Sequence, residues 1–198
     1  MSDSAARTGN RAERRAATRA ANRAGILEAA RRVAGREGAH GLSLRAVAAE
    51  AGYAPAAVYG YFDSRAELVL ALAADDLGRL AKSMRETSSE GFAKAARRAL
   101  SSVERNGALA AAAGSLEADG AGSEAERHFN GKLIAVLTAL AEAAGRPVRA
   151  REEQADVVLT AAALAGLALL ARAGRLKVLG FSEDELIERL DRRFASGL

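Results

Sequence analysis

The sequence predicts an all-α protein with about nine helices, and three observations support this. The chain has 198 residues, of which 49% are hydrophobic and 27% charged, a composition typical of a globular domain with a core. It contains two Pro, three Tyr, five Phe and no Trp, alongside long Ala-rich stretches punctuated by Leu. These stretches favour helices because Ala has the highest helix propensity, whereas strands are enriched in β-branched and aromatic residues.

Positive charge is concentrated at the beginning of the chain. Residues 1–65 contain eleven Arg and six acidic residues, a net charge of +5, while the remainder contains 18 basic and 19 acidic residues. This asymmetry predicts an N-terminal module that faces a polyanion, most often nucleic acid, although a merely solvated basic terminus is the alternative. Residues 1–17 lack an apolar stripe and carry Arg7, Arg11, Arg14 and Arg15, so a flexible basic arm is expected.

Residues 18–64 are expected to form a three-helix domain. The first helix begins at about Thr18, carries Ile26, Ala30 and Val33 on one stripe, and ends where Gly38 and Gly41 follow.

Two short helices complete that domain. Ser43 has the position of an N-cap for the second helix, which ends at Gly52, and Pro55 opens the third, where Val58, Tyr59 and Phe62 recur at helical spacing. A pair of short helices joined by a turn that contains Gly is typical of a helix-turn-helix.

Residues 65–198 are expected to form a second, helical domain. The Ser64 to Glu67 spacing is a capping box that starts a long helix, and similar boxes stand at Ser123 to Glu126 and Ser182 to Glu185. Further helices are predicted at 91–105, 107–117 and 151–173, with a break at 120–123 and an end at Gly145 and Pro147.

The N-terminal motifs resemble those of the tetracycline-repressor (TetR) family of bacterial regulators. The resemblance covers about 45 residues and rests on four segments, 26–30 (ILEAA), 41–48 (GLSLRAVA), 51–62 (AGYAPAAVYGYF) and 64–68 (SRAEL). It implies a DNA-binding transcriptional regulator, a ligand-responsive repressor that binds a palindromic operator as a homodimer and works in the cytoplasm at the nucleoid. A helical protein-interaction module with a basic arm and no sequence-specific DNA binding is the alternative.

The resemblance also assigns candidate DNA contacts. Ser43 and Tyr59 match family positions that contact phosphate. Arg45 matches a position that reaches a base or phosphate, and Arg65 matches a phosphate-contacting position where the family generally has Lys. The turn and leading end of the third helix supply Tyr53, Pro55, Ala56 and Ala57. Ala54 and Ala57 depart from the usual polar N-cap and Thr, so readout here is expected to rest on apolar contacts and DNA shape.

Two further sites follow from the same resemblance. A dimer interface is expected on the last two helices, where Ala162 and Gly166 would permit close approach; its candidates are Val157, Leu164, Leu167, Leu170, Leu186, Leu190 and Phe194. An effector of unknown identity is expected in a pocket between the middle helices, and its candidate lining is Met84, Phe92, Leu100, Leu116, His128 and Phe129.

The sequence does not favour an enzyme, a cofactor or a metal site. There is no Cys, and Glu124 one turn before His128 offers only two ligands. No Gly-rich phosphate loop is present. The apolar run Val157 to Ala171 is shorter than the roughly 20 residues that cross a bilayer, so a buried helix and no membrane association are expected.

Overall fold

The computed structural model describes residues 2–105, 108–109, 112, 123–146 and 148–195, and it confirms an all-α fold. Within these residues the chain forms nine α-helices and one short 3₁₀ turn at Ser88–Glu90. The helices are α1 (Ser2–Gly41), α2 (Leu44–Ala51), α3 (Pro55–Tyr59), α4 (Arg65–Glu86), α5 (Phe92–Arg105), α6 (Glu124–Ala143), α7 (Arg151–Arg172), α8 (Arg175–Leu179) and α9 (Glu183–Ala195).

The beginning of the chain differs from the expected flexible arm. Residues 2–17 continue α1 toward the N-terminus, because Ala and Arg are strong helix formers even where no apolar face is available. At its other end the helix is interrupted where expected: Gly38 has φ 72° and ψ 178°, a conformation that L side chains rarely adopt.

Most other helix boundaries agree with their sequence signals. Ser64 Oγ accepts from the Glu67 amide, Ser123 and Glu126 form the reciprocal capping box, and Ser182 Oγ accepts from the Glu185 amide. Two differences concern short segments. The predicted helix at 107–117 lies largely outside the described residues, and α8 was not predicted because its five residues carry no cap signal.

The long helix α4 joins the two parts of the chain. It packs along α6 over much of its length and also contacts α1 and α5. Twelve of its 22 residues are buried, including Leu68, Leu72 and Met84. Since the same helix contacts the first helix and the C-terminal helices, a displacement of α4 changes the relation between them.

A cluster of five charged side chains fixes α1 against α4. Arg31 lies 2.6 and 2.8 Å from Asp76 Oδ1 and Asp75 Oδ2 through Nη2, and its Nη1 lies 2.8 Å from Glu28 Oε2. Arg79 joins the cluster by bonding Asp75 at 2.9 Å and also Glu28. The Asp76 side chain is only 4% exposed, and burial raises the pKa of Asp76 although its bonds with Arg31 lower it in part.

The apolar helix α7 is less buried than the sequence suggested. It is 22 residues long, its most apolar 18-residue window has a mean hydropathy of 1.8, and 28% of that window is buried. Because little more than a quarter of this window is buried, the expectation of a buried helix is wrong. By length and composition alone the helix is sufficient to cross a membrane. One face packs on α5, α6 and α9, while the opposite face is apolar and exposed.

We expect Asp76→Ala to lower the free energy of unfolding by about 1–3 kcal/mol, because a half-buried guanidinium then loses one of its three carboxylate partners. Urea denaturation measures the change. Glu86→Ala is the matched control, since Glu86 pairs with Lys82 at 3.9 Å on the exposed face of the same helix, and it is expected to cost well under about 1 kcal/mol. Equal losses in the two variants would contradict a structural role for the Arg31 cluster.

Candidate nucleic-acid interface and pairing surface

The helix-turn-helix is built from α2, a glycine turn and α3. Ser43 has extended backbone angles and its Oγ accepts from the Ala46 amide at 3.1 Å, which caps α2. At the other end Gly52 has φ 72° and ψ 25°, and the Tyr53 amide donates to the Ala48 carbonyl at 2.9 Å. This left-handed glycine redirects the chain into α3.

The third helix faces outward along nearly its whole length. Pro55 occupies its first turn, and Val58 is the only one of its five residues that is buried. Phe62, just beyond the helix, is also fully buried, and its amide donates to the Val58 carbonyl at 3.1 Å. These two anchors fix α3 on the domain and leave the other four residues of the helix exposed.

The candidate contact residues of the turn and α3 lie together on this outward surface. Pro55, Ala56 and Ala57 are exposed, and Tyr59 is 50% exposed. Tyr53 is exposed at the turn, while Ser43 and Arg45 are exposed at the beginning of α2. The arrangement agrees with the sequence-based assignment, whose individual contacts stay predictions.

Arg65 has a structural bond that the sequence did not indicate. Its Nε donates to the Leu42 carbonyl at 2.7 Å, which ties the first turn of α4 to the segment before α2. A phosphate contact by Arg65 therefore has to come from its other N–H groups, and removing the side chain would also disturb the domain.

Arg19 and Asn22 of α1 brace the end of α3 and were missed by sequence reasoning. Arg19 Nη2 donates to the Gly60 carbonyl at 2.8 Å, and its guanidinium lies 4.8 Å from the centroid of the Tyr61 ring. Asn22 Nδ2 donates to the Tyr61 hydroxyl at 3.1 Å. A signal was available, because these two residues continue the stripe of Ile26 toward the N-terminus at helical spacing.

Apart from Arg31, which contacts α4, several arginines of α1 lie either against α2 or beside the end of α3. Arg32 and Arg36 both bond Glu50 of α2, at 2.6 and 2.9 Å, and these hydrogen bonds lower the pKa of Glu50. Arg14 and Arg15 instead lie in the N-terminal half of α1, where with Arg11 and Arg19 they line a shallow groove beside Tyr61. Positive charge thus adjoins the end of α3.

The predicted dimer residues are mostly directed into the subunit. Val157, Leu164 and Leu167 of α7 are buried, as is Phe194, whose ring lies 5.2 Å from that of Phe92. Leu186 and Leu190 are half-buried, and Leu170 is exposed. The sequence did not separate the two faces because α7 is apolar all round.

The opposite face of α7 is a continuous apolar surface, called here the α7 stripe. Its members are exposed and uncharged, and they recur at the spacing of one helix face. They are Val158, Leu159, Ala162, Ala165, Leu169 and Leu170. Gly166 lies beside them, and a Cβ built on it meets nothing within 4 Å. Large exposed apolar patches of this kind mark interaction surfaces.

The predicted ligand-pocket residues are not gathered around one cavity. Met84, Phe92, Leu100 and Phe129 are buried in the core. His128 is exposed and borders a polar cavity of about 650 Å³ that is also lined by Arg19, Arg23 and Tyr61. Leu116 lies outside the described residues. Within the described part of the chain no three acidic or His side chains form a group that could hold a metal ion.

Comparison with known proteins finds a family match in the N-terminal part of the chain. Residues 26–72, about a quarter of the chain, match the model of the family described as bacterial regulatory proteins, tetR family. No protein of curated function matches the chain significantly.

Solved structures extend the similarity over the whole fold. A TetR transcriptional regulator from Rhodococcus sp. RHA1 is 20% identical, with 86% of this chain and 93% of that chain covered and a TM-score of 0.68. A protein of unknown function from the same organism is 28% identical, with 89% and 95% covered and a TM-score of 0.67. FadR from Bacillus subtilis, solved in complex with stearoyl-CoA, is 17% identical, with 88% and 98% covered and a TM-score of 0.55. The resemblance found in the sequence is confirmed.

We expect Gly52→Ala to lower the free energy of unfolding by about 1–2 kcal/mol, because an L side chain is strained at φ 72°. Gly35→Ala is the matched control: Gly35 lies inside α1, its added Cβ meets nothing within 4 Å, and the change is expected to raise stability by about 0.5–1 kcal/mol. Urea denaturation compares the two. A stabilising Gly52→Ala would show that the turn between α2 and α3 is not the one described.

Proposed function

We propose that this protein binds a palindromic operator as a homodimer and is a ligand-responsive repressor. The proposal is supported by the match of residues 26–72 to the TetR family and by the similarity of fold, over 86% of the chain, to a TetR transcriptional regulator. The observation that carries the proposal is the outward face of α3, of whose five residues Val58 alone is buried. In this proposal α3 enters the major groove while Ser43, Tyr59 and the arginines of α1 contact phosphates.

The composition of α3 limits how it reads bases. Pro55, Ala56 and Ala57 have no side-chain hydrogen-bond groups, so their contribution is close apolar contact with thymine methyl groups. Arg45 is then the candidate for direct hydrogen bonding to a guanine edge, and Tyr53 is the candidate for a further polar contact. The operator is expected to be recognised partly through its shape.

The proposal of a homodimer follows from the shortness of α3, since a single copy contacts few base pairs. One helix of this length covers a few base pairs, and such modules gain affinity when two lie roughly 34–36 Å apart on one face of the duplex. The α7 stripe is the surface we assign to the second copy, in place of the buried residues Val157, Leu164 and Leu167. Its small residues permit close packing of two α7 helices, and its lack of charge removes the cost of burying ions.

A membrane is the alternative partner for the α7 stripe. The inward face of the same helix packs on α5, α6 and α9, so α7 does not present apolar side chains all round to lipid. A second copy covers one face and leaves the other in the subunit core. In this proposal the protein works in the cytoplasm at the nucleoid, where its operator would lie.

Release by a small molecule is the regulatory part of the proposal. The structure of FadR from Bacillus subtilis contains stearoyl-CoA, which gives one neighbour with a bound acyl-CoA. In this chain α4 is the element through which such binding would act, because it contacts α1 on one side and α5 and α6 on the other.

Selection of bound fragments from random duplex DNA by the purified protein tests the central claim. We expect a palindromic consensus, with binding that weakens steeply as salt rises. Failure to bind any duplex at low salt would overturn the proposal and favour the protein-interaction module.

On the selected operator we expect Tyr59→Phe to weaken binding by about 2- to 10-fold, the loss of one hydrogen bond, with the salt dependence unchanged. Thr138→Val is the matched control, because it also removes one hydroxyl but lies on α6, outside the helix-turn-helix. Arg45→Ala should cost about 1–3 kcal/mol and relax the preference at one base position. Fluorescence anisotropy measures these affinities; unchanged binding in both Tyr59→Phe and Arg45→Ala would contradict the docking of α2 and α3.

Leu159→Asp is expected to yield monomers that keep their helical content, because Leu159 is 67% exposed and its substitution places a charge only in the dimer interface. Leu159→Met is the control at the same position and should remain dimeric. Light scattering gives the mass, and circular dichroism checks the fold. A folded dimer of Leu159→Asp would show that the α7 stripe is not the pairing surface.

A further inference from the structure

We propose that a cavity between α1, α4 and α5 binds a small molecule bearing two or more phosphate groups, and that this site, if the proposed function holds, is where the effector acts. The cavity has a volume of about 690 Å³, within the range of cofactor-sized sites. It is called here the α4–α5 cavity. Nothing in the family resemblance assigns it a ligand.

The lining of the α4–α5 cavity is dominated by cations. The six basic side chains are Arg31, Arg79, Lys94, Arg97, Arg98 and Arg105. One acidic side chain, Asp76, three serines and one leucine also border it. Guanidinium groups and hydroxyls are donors suited to phosphate oxygens. A hydrophobic ligand is not favoured, because only one residue of the lining is apolar.

Four of the cations belong to one face of α5. Lys94, Arg97, Arg98 and Arg105 recur with Ser101 at three- and four-residue spacings, so they project from the helix in the same direction. Like charges at these spacings repel one another and weaken the helix. These side chains border the same cavity as Ser83 and Leu80 of α4. The side chains of Lys94, Arg97 and Arg98 keep 28–54% of their surface exposed.

Three of these cations are paired with surface carboxylates, and Arg98 also donates to the Thr87 hydroxyl. Lys94 and Arg98 are paired with Glu90 at 2.5 and 3.7 Å, and Arg97 is paired with Asp184, whose side chain is 70% exposed, at 2.6 Å. Exposed pairs of this kind are weak and exchange readily. A ligand with several negative charges can therefore replace them without leaving a buried charge unpaired.

The other wall of the cavity belongs to the charged cluster that fixes α1. Arg31 and Arg79 are held by Glu28, Asp75 and Asp76, and Asp76 itself borders the cavity. A phosphate group drawn to Arg79, whose pairs are largely exposed, competes with Glu28 and Asp75 for its N–H donors, while Arg31 keeps its bond with the buried Asp76. Binding would thus weaken the connection of α1 with α4, the two helices that carry the helix-turn-helix on the C-terminal part of the chain.

Isothermal titration of the full chain with sodium pyrophosphate, at constant ionic strength and without divalent metal, tests the site. We expect saturable binding that the double variant R97Q/R98Q weakens at least about tenfold, since each lost guanidinium removes a charge-assisted bond. Arg85→Gln is the matched control, because Arg85 is exposed on α4 and does not border the cavity. This variant should bind pyrophosphate with the same affinity as the unaltered chain.

Citrate, a carboxylate of similar charge, distinguishes phosphate recognition from general attraction of anions. Weaker binding of citrate than of pyrophosphate supports the proposal, and equal binding overturns the assignment to phosphate. Absence of saturable pyrophosphate binding at millimolar concentrations, or an equal effect of Arg85→Gln, would overturn the site itself.

Operator affinity measured with and without pyrophosphate separates this inference from the proposed function. We expect R97Q/R98Q to bind the operator normally in the absence of pyrophosphate and to lose the response to it. By linkage, the operator should change pyrophosphate affinity by the same factor. If pyrophosphate binds but leaves operator affinity unchanged, the effector role is overturned. If the unaltered chain binds no operator even without pyrophosphate, the proposed function is overturned, while the measurement of pyrophosphate binding still stands.

Discussion

The contact between Arg31 and the carboxylates of α4 is the interaction on which the arrangement of the protein depends. Arg31 bonds Asp76 through both Nε and Nη2, at 2.9 and 2.6 Å, and the same guanidinium reaches Asp75 and Glu28. A charged group in this position has to be paired, because an unpaired buried charge is far costlier than the pair itself. The orientation of α1 on α4 is therefore specified by few donors and acceptors, and α1 in turn positions the helix-turn-helix.

The third helix shows how little core is needed to hold a surface for recognition. With five residues it cannot be stable alone, and it depends on the capped turn at Gly52, on the anchors Val58 and Phe62, and on the bond from Arg19 to Gly60. Short helices with many neighbours are held by tertiary packing and not by propensity. This explains why α3 can consist largely of small residues and still project outward.

Charge has different consequences in the two halves of the chain. In the N-terminal part Glu50 pairs with Arg32 and Arg36 at the contact of α1 with α2, while other arginines line the groove beside Tyr61. In the C-terminal part, where basic and acidic residues are nearly equal in number, the cations of α5 are gathered on one face. The net charge of this part is therefore close to zero although positive charge is concentrated along the α4–α5 cavity, and this concentration follows from the packing of α4 against α5.

The sequence by itself determined the helical class, the capped starts at Ser43, Ser64 and Ser123, the glycine ends and the outward face of α3, because these depend on local propensity and on spacing within one helix. It did not determine which face of α7 is buried, since Val157 and Leu159 are equally apolar and only the packing of α7 on α5 separates them. Nor did it indicate that Arg65 bonds Leu42 or that Arg31 joins Asp76, residues far apart in the chain. Such choices belong to the tertiary structure, because contacts between distant segments depend on how helices meet and leave no periodic trace in the sequence.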